Sequence, residues 1–255
     1  MNILISNDDG IESPGLHFLA SALETLGQVT VVAPHRERST SGHSLTLHKP
    51  LRCKEVAPNR FAVSGTPADC VYMATRLLMK SKPDVIVSGI NRGANLGNDV
   101  YYSGTVAAAR EGAYYGVNAV AVSLCFNEHG QATDPHWDSA AHFAKIIVEK
   151  ILHHNEPVKR LINVNVPNLP LKKIRGIRLA KQGLRYYSDL VTTEIDPRKK
   201  PYYWLGGEYK GFEKIPGSDC VIVDGGYVAV TPLKLDSTDY EIMEEFKKWE
   251  TDISG

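Results

Sequence analysis

Short apolar runs alternate with longer segments along the first half of the chain. Apolar runs of this length are typical of buried strands, whereas apolar residues recurring about every three or four positions are typical of helices packed on one face. This alternation predicts βαβ units and therefore an α/β fold, a Rossmann-like and mostly parallel sheet flanked by helices. Strands are predicted at 3–6, 29–33, 45–56, 61–64, 85–88, 119–124 and 161–166, and helices at 14–26, 66–79, 105–115 and 137–153.

The pattern changes beyond about residue 168, where glycines, prolines and aromatic residues replace the regular alternation. Aromatic residues without a helical period lie among turn residues between 186 and 212, which indicates extended arms or hairpins. Aromatic side chains on such arms either contact a partner subunit or pack on their own domain. A hairpin is predicted at 220–231, around Asp224-Gly225-Gly226, and a terminal helix at 240–249. We expect one domain over 1–255, with its core at 1–168 and arms, hairpin and terminal helix at 169–255.

Charge and composition narrow the classes of partner. The chain has 255 residues, with 29 Lys and Arg against 29 Asp and Glu, so its formal net charge is zero. No overall field recruits polymeric nucleic acid or a membrane surface, although backbone dipoles and a metal can still bind small anions. The cysteines form no CxxC pair, which argues against a disulfide framework and a structural zinc site. The chain opens directly on a strand and has no apolar run of transmembrane length, so we expect a soluble cytoplasmic protein.

Two adjacent carboxylates, Asp8 and Asp9, follow the first predicted strand and precede Gly10. Neighbouring like charges repel and raise each other's pKa, so a fold that places them at a strand end usually supplies a cation between them. A hard divalent metal is the natural candidate. The alternative is a solvated turn, since aspartate and glycine are common turn residues.

Further polar segments follow other predicted strands, at 35–44, 88–99 and 103–105. Ligands of open parallel sheets bind outside the carboxyl ends of the strands, so these segments converge on the expected ligand site. Oxygen atoms of Asp8, Asp9, Ser39 and Asn91 would form a hard site suited to Mg²⁺ or Mn²⁺. The histidines show no HxxxH or HExxH spacing, so zinc chemistry does not fit.

Ser103, Gly104 and Thr105 open a predicted helix. The free amides and the positive dipole end of a helix N-terminus bind phosphate, and glycine lets the backbone approach closely. The serine and threonine hydroxyls add donors. An ordinary helix cap is the alternative for these residues taken alone, and their position beside the other polar segments favours the phosphate site.

Several longer motifs occur together and in one order along almost the whole chain: Asn7-Asp8-Asp9-Gly10, Val32-Ala33-Pro34 leading to Arg38-Ser39, Ser64 to Cys70, Ser88-Gly89-Ile90-Asn91, and Tyr102 to Ala108. In these motifs the chain resembles the SurE family, survival proteins that are metal-dependent 5′/3′-nucleotidases acting on nucleoside monophosphates. The resemblance implies one divalent metal per subunit on Asp8, Asp9, Ser39 and Asn91. It also implies phosphate contacts by Asn95, Ser103, Gly104 and Thr105, and dimers or tetramers with exchanged C-terminal arms. Thr40 and Asn98 depart from residues that are frequent in the family.

The resulting hypothesis is a phosphomonoesterase that hydrolyses nucleoside 5′-monophosphates, with 3′-monophosphates as a second candidate, by attack of a metal-activated water. Asp8 and Asp9 are the expected catalytic residues, and Asp9 is the candidate for positioning or deprotonating the water. Two alternatives remain: a covalent phosphatase with Asp8 as nucleophile, and a noncatalytic nucleotide-binding sensor module.

Overall fold

The computed structural model describes residues 1–126, 134–153 and 160–251. The strands are β1 (Asn2–Ser6), β2 (Gln28–Pro34), β3 (Cys53–Ala57), β4 (Arg60–Val63), β5 (Val85–Arg92), β6 (Asn118–Cys125), β7 (Leu161–Pro167), β8 (Ile177–Leu179), β9 (Arg185–Tyr187), β10 (Val191–Ile195), β11 (Pro201–Leu205), β12 (Tyr209–Phe212) and β13 (Val228–Leu233). The α-helices are α1 (Pro14–Leu23), α2 (Pro67–Met73), α3 (Gly104–Tyr114), α4 (Trp137–Leu152), α5 (Asp219–Asp224) and α6 (Tyr240–Phe246).

A nine-stranded sheet in the order β3-β4-β2-β1-β5-β6-β7-β13-β8 forms the centre of the molecule. The strands from β4 to β7 pair in parallel, whereas β3 with β4 and β7 with β13 are antiparallel. The prediction of a mostly parallel α/β sheet is therefore confirmed. Because β1 lies in the middle, the loop that follows it is surrounded by the loops after β2 and β5.

Helices cover both faces of this sheet, which explains why its strands are apolar at successive positions. On one face, Ile3 and Ile5 pack in a buried cluster with residues of α1 and α4. On the other face, Leu4 and Ile86 pack with residues of α2 and α3. The carboxyl ends of the parallel strands are therefore held between two packed layers, and the loops that leave them start from fixed positions.

The four cysteines form no disulfide bond with one another, and all are free thiols. None of the helices within the described ranges has the length and apolar character needed to cross a membrane.

The helix beginning at Pro67 has the capping box that its sequence suggests. Thr66 Oγ1 accepts a hydrogen bond from the Asp69 amide (3.1 Å), and Asp69 Oδ2 accepts one from the Thr66 amide (2.8 Å). Asp69 also accepts bonds from the Thr46 amide (2.8 Å) and hydroxyl (2.6 Å). The predicted strand at 45–56 was therefore too long: this contact holds the preceding segment as an irregular loop, and β3 begins only at Cys53.

The predicted hairpin at 220–231 is wrong. Residues Asp219–Asp224 are helical, because the Ser218 hydroxyl accepts a bond from the Val221 amide and caps the turn. Gly226, with φ of 77°, lies just beyond the helix in the left-handed conformation that commonly ends one. The strand β13 pairs instead with β7 and β8, so the part of the chain beyond residue 168 contributes two strands to the central sheet.

The aromatic segment forms two small antiparallel pairs, β10 with β11 and β9 with β12. All residues of β10 and β11 are exposed, including Trp204 and Leu205. In contrast, Arg185 of β9 is buried and forms an ion pair with Asp99, which also accepts a bond from the Tyr187 hydroxyl (2.8 Å). The β9 end of this segment is thus attached to the 3₁₀ turn Gly97–Tyr101, whereas the β10–β11 hairpin presents its side chains to solvent.

Candidate active site

The loop after β1 is shaped by Asn7, a residue whose role the sequence analysis did not assign. The buried Asn7 side chain donates to the Gly10 carbonyl (3.0 Å) and to the Ser13 hydroxyl (2.6 Å), and its Oδ1 accepts from the Gly10 amide (3.3 Å). Asparagine at a loop start commonly makes such turns, and this preference is the signal that could have identified it. These bonds fix the chain direction at Asp8 and Asp9.

Asp8 is almost completely buried, with 6% of its surface exposed. Its carboxylate accepts hydrogen bonds from Thr105 at the start of α3, one from the backbone amide (3.2 Å) and one from the hydroxyl. Burial raises the pKa of Asp8 to about 6; the Thr105 hydroxyl opposes this rise, and the neighbouring charge of Asp9 adds to it. A charged Asp8 therefore lacks a compensating cation within the described part of the protein.

Asp9 lies beside the Arg92 backbone at the end of β5, one residue after Asn91. Its Oδ2 accepts a hydrogen bond from the Arg92 amide (3.1 Å), and burial is the main cause that raises the pKa of its carboxyl. The Asn91 side-chain nitrogen donates to the Gly93 carbonyl (3.0 Å), which leaves the amide oxygen available as a ligand. Two oxygen donors of the predicted metal set are thus brought to neighbouring strand ends.

The loop that carries Ser39 is connected to Asp8 by a backbone hydrogen bond. The Arg38 amide donates to the Asp8 carbonyl (2.7 Å), so the loop after β2 is attached to the loop after β1. The Ser39 hydroxyl itself donates to Glu37. Its proton is therefore directed to a carboxylate, and the oxygen lone pairs remain for another partner.

At the N-terminus of α3 the predicted phosphate donors are partly used by protein groups. The Ser103 hydroxyl accepts from the Val106 amide (3.0 Å), and both Thr105 donors are directed to Asp8. The Gly104 amide donates to no protein acceptor within the described ranges. The first turn of α3 therefore contributes to the site in two ways: Thr105 holds Asp8, and Gly104 presents a free amide beside it.

Gly104 also provides the space that Asp8 occupies. A Cβ atom at this position would lie 2.8 Å from Asp8 Cβ, 2.9 Å from Asp8 Oδ2 and 3.0 Å from Ser41 Oγ. Gly104→Ala is therefore expected to displace the Asp8 carboxylate and to reduce turnover by about 10- to 100-fold. Gly206→Ala is a matched control, because a Cβ there would meet nothing within 4 Å. Steady-state kinetics and circular dichroism of both variants test this; parental kinetics in the Gly104→Ala enzyme would contradict it.

Asn95 belongs to a different group of contacts. Its amide donates to Asn165 Oδ1 (2.9 Å) and its side chain donates to the Ser123 hydroxyl (2.7 Å), while its carbonyl accepts from Asn163 (2.8 Å) and Asn165 (3.1 Å). No hydrogen bond between described residues joins Asn95 to Ser103, Gly104 or Thr105. The supporting side chains of Ser123, Asn163 and Asn165 were not predicted from sequence, although asparagines in a buried strand are uncommon and require partners.

Comparison with known proteins shows the family of this chain. The sequence model described as Survival protein SurE matches residues 3–189, a range that contains every residue of the predicted site. The chain belongs to the SurE family. It is 48% identical over 250 residues to "5′-nucleotidase SurE" of Geotalea daltonii, covering 98% of this chain and 99% of that relative. It is 45% identical over 250 residues to the protein of the same name from Vibrio cholerae, covering 98% and 97%.

The structure is similar to the crystal structure of the SurE protein from Aquifex aeolicus. The two share a TM-score of 0.85 and 42% sequence identity over 98% of this chain and 100% of that one. The resemblance to the SurE family found in the sequence motifs is thus confirmed for both sequence and fold.

Two positions where this SurE-family chain departs from common family residues have clear surroundings. Thr40 has φ of 53°, in the left-handed region that favours glycine, so threonine is strained there. Asn98 uses its side-chain oxygen to accept the Arg185 amide (2.7 Å), an acceptor role that an aspartate would also fill.

Proposed function

We propose that the chain is a divalent-metal-dependent phosphomonoesterase that hydrolyses nucleoside 5′-monophosphates, and 3′-monophosphates as a second substrate class, to nucleoside and phosphate. The carrying observation is the buried Asp8 carboxylate, adjacent to the half-buried Asp9 and beside the free amide of Gly104. Relatives that are 45% and 48% identical over almost their full length bear the name 5′-nucleotidase, which supports the same reaction here.

The residues present fit one Mg²⁺ or Mn²⁺ ion. Asp8 and Asp9 supply two carboxylates, Asn91 an amide oxygen and Ser39 a hydroxyl, all hard oxygen donors of the kind that these cations prefer. No cluster of three or more His, Cys, Asp or Glu side chains suited to a metal occurs among the described residues. The donor set is therefore mixed, with room for water and substrate oxygens.

The cation, when bound, neutralises charge on the phosphoryl oxygens and makes water more acidic. Thr105 fixes the rotamer of Asp8 through both carboxylate oxygens. Glu37 accepts a hydrogen bond from the Ser39 hydroxyl and thereby orients its oxygen. The Gly104 amide binds a phosphoryl oxygen at the positive end of the α3 dipole. Asp9, with one oxygen held by the Arg92 amide, uses the other to position the attacking water.

A covalent route through Asp8 fits these contacts less well than cation binding does. The Thr105 bonds use one lone pair on each Asp8 oxygen and leave the others for a cation shared with the adjacent Asp9 carboxylate. Asp8 is thus better suited to hold a cation than to attack the substrate.

The test is phosphate release from nucleoside 5′- and 3′-monophosphates with Mn²⁺, with Mg²⁺ and with excess chelator. We expect release with a cation and a loss of at least about 100-fold with chelator. At 100 times its Kd, the cation is also expected to raise the free energy of unfolding by about 2.7 kcal/mol. Tight nucleotide binding without release under any metal would indicate a sensor module, and a trapped acyl-phosphate would indicate the covalent route.

We further propose that the chain forms a homodimer or homotetramer through its C-terminal arms. The β10–β11 hairpin exposes Trp204 (65%) and Leu205 (86%), and α6 exposes Phe246 and neighbouring apolar residues. Apolar area of this kind is stabilised by contact with a second subunit.

The double variant Trp204→Ser/Leu205→Ser is expected to shift the assembly to smaller species in light scattering, because it removes the largest exposed apolar groups of the hairpin. Leu47→Ser is the matched control, since Leu47 is 79% exposed but lies outside the arms. A parent protein that is monomeric at every concentration would contradict the proposal.

A further inference from the structure

The loop after β2 lies along helix α3, and we refer to its residues 38–44 as the Ser39 loop. Ser41 Oγ is 3.0 Å from the point that a Cβ atom on Gly104 would occupy, so the loop meets the first turn of α3 there. Further along the same helix, the His43 ring contacts Glu111 and Tyr114. Positions 104, 111 and 114 share one side of a helix because they are seven and three residues apart. The loop therefore follows α3 from its first turn to its last residue.

The backbone around Ser39 adopts a conformation that needs support from its neighbours. The Arg38 amide donates to the Asp8 carbonyl (2.7 Å), and the Gly42 amide donates to the Tyr102 carbonyl (3.2 Å). Between these two bonds, Thr40 has φ of 53°, in the left-handed region. A residue with a Cβ atom keeps such a conformation only where surrounding contacts determine it. The position of Ser39 thus depends on how firmly both ends of this short segment are attached.

His43 makes the side-chain attachment of this loop to α3. Its Nε2 atom lies 3.0 Å from Glu111 Oε2, and the two side chains are only 22% and 13% exposed. With the proton on Nε2, the ring donates a hydrogen bond to the carboxylate. The ring is also stacked on Tyr114, with centroids 5.8 Å apart and planes within 9°. The next residue, Ser44, is attached to the start of α2 instead, because its carbonyl accepts a bond from the Thr66 hydroxyl (2.7 Å).

Helix α3 consequently holds two predicted metal ligands that come from different strands. Thr105 binds the Asp8 carboxylate directly, and Glu111 binds His43, four residues after Ser39. Sites are most precise when rigid elements hold the groups that support their ligands. One helix therefore supports both the loop after β1 and the loop after β2.

We propose that His43 is a positioning residue for the cation site. Through its contacts with α3 it holds the Ser39 loop in one conformation, and so presents the Ser39 hydroxyl oxygen beside Asp8 and Asp9 before a cation arrives. This inference rests on the proposed function, because it concerns the cation of that reaction. His43 acts on cation affinity rather than on the chemical step.

The affinity for Mn²⁺ tests this role without substrate, through the paramagnetic resonance signal of the free ion. His43→Ala is expected to raise the Kd for Mn²⁺ about 5- to 10-fold, because the share of molecules with the loop in its binding conformation falls to about 10–20%. At saturating Mn²⁺ the bound ion restores that conformation, so kcat is expected to stay within about 2-fold of the parent value. His48→Ala is the matched control, since His48 is an exposed histidine before β3, and it is expected to change neither value.

Glu111→Gln distinguishes the hydrogen bond from general packing. Glutamine keeps an acceptor oxygen for His43 Nε2, so its Kd is expected to stay within about 2-fold of the parent value. Glu111→Ala is expected to raise the Kd as much as His43→Ala does, and the double variant no further, because both changes remove one contact. Hydrogen exchange of residues 39–44 without metal is expected to be faster in the alanine variants and parental in Glu111→Gln.

An equal Kd for Mn²⁺ in the His43→Ala and parent proteins would overturn the inference, as would a loss of kcat that saturating Mn²⁺ does not restore. The two proposals fail differently. A Kd that rises in His43→Ala while no variant or parent releases phosphate would remove the proposed function alone. Metal-dependent release with a Kd that His43→Ala leaves unchanged would remove the positioning role alone.

Discussion

Asp8→Asn is expected to reduce metal-dependent phosphate release by about 1,000-fold or more, a larger loss than any other single substitution in the site should cause. The amide keeps the size of the carboxylate and can exchange hydrogen bonds with Thr105, but it removes the negative charge that holds a cation. Steady-state kinetics with Mn²⁺ and Mg²⁺ measure the loss. The exposed residue Asp189 provides the control, because Asp189→Asn makes the same chemical change on the loop between β9 and β10, outside the predicted site residues. Near-normal turnover by a folded Asp8→Asn protein would exclude Asp8 as a ligand.

Asp8→Asn is also expected to change stability, but in the favourable direction: it should raise the free energy of unfolding of the metal-free protein at neutral pH. The pKa of the buried Asp8 carboxyl is about 6 in the folded chain, against an ordinary value of 3.8. Folding thus favours the protonated form: the stability that this group contributes is complete below about pH 3.8 and is lost as the pH rises through about 6. The difference is on the order of 3 kcal/mol.

With excess chelator at pH 7.5, Asp8→Asn is therefore expected to unfold at higher urea than the parent, and the advantage is expected to disappear below about pH 4. A variant that is less stable than the parent at pH 7.5 would show that the charged carboxylate is well compensated without a cation.

Asp219→Ala is expected to lower the free energy of unfolding by about 3 to 5 kcal/mol, the largest stability effect outside the apolar core. Asp219 is fully buried and its carboxylate accepts three backbone amides, from Gly97 (2.9 Å), Gly183 (2.9 Å) and Cys220 (2.8 Å). Alanine would leave these donors without their acceptor. The carboxylate thereby joins α5, the segment before β9 and the turn that follows Asn95.

Urea unfolding at pH 7 measures this effect. Asp224→Ala, at the exposed opposite end of α5, is the matched control and is expected to leave the unfolding midpoint unchanged. Equal midpoints for the two variants would mean that solvent satisfies the amides as well as Asp219 does.

The central sheet was predictable because its signals are local. Each parallel strand from β1 to β6 contains a short apolar run, β7 alternates apolar residues with asparagines, and α3 and α4 match their predicted spans within one residue at each end. Two elements were wrong for different reasons. Thr46 binds Asp69, 23 residues further along the chain, and this distant contact leaves β3 short. Ser218 caps a helix through the nearby Val221 amide, a local contact at a place where apolar residues and a following Gly-Gly pair suggested a hairpin.

Part of the candidate site was likewise predictable from the sequence, and part was not. Asp8 and Asp9 follow β1, and Asn91 lies near the carboxyl end of the adjacent β5, so topology alone brings them to one edge. The attachment of Thr105 to Asp8 joins residues 97 positions apart, and no local pattern states which donor a carboxylate will use. The cavity of about 510 Å³ beside Asp9 is likewise invisible in sequence, because four separate segments form its walls.

Strand β7 presents two very different faces to its surroundings. Val164 and Val166 lie in the apolar cluster with α1 and α4, where contacts are non-directional and another aliphatic side chain can repack. Asn163 and Asn165 face the other way and bind the Asn95 carbonyl, a geometry that no other residue of that size reproduces. Aliphatic substitution is therefore expected to be tolerated at Val164 and Val166, whereas replacing Asn163 or Asn165 is expected to break specific hydrogen bonds.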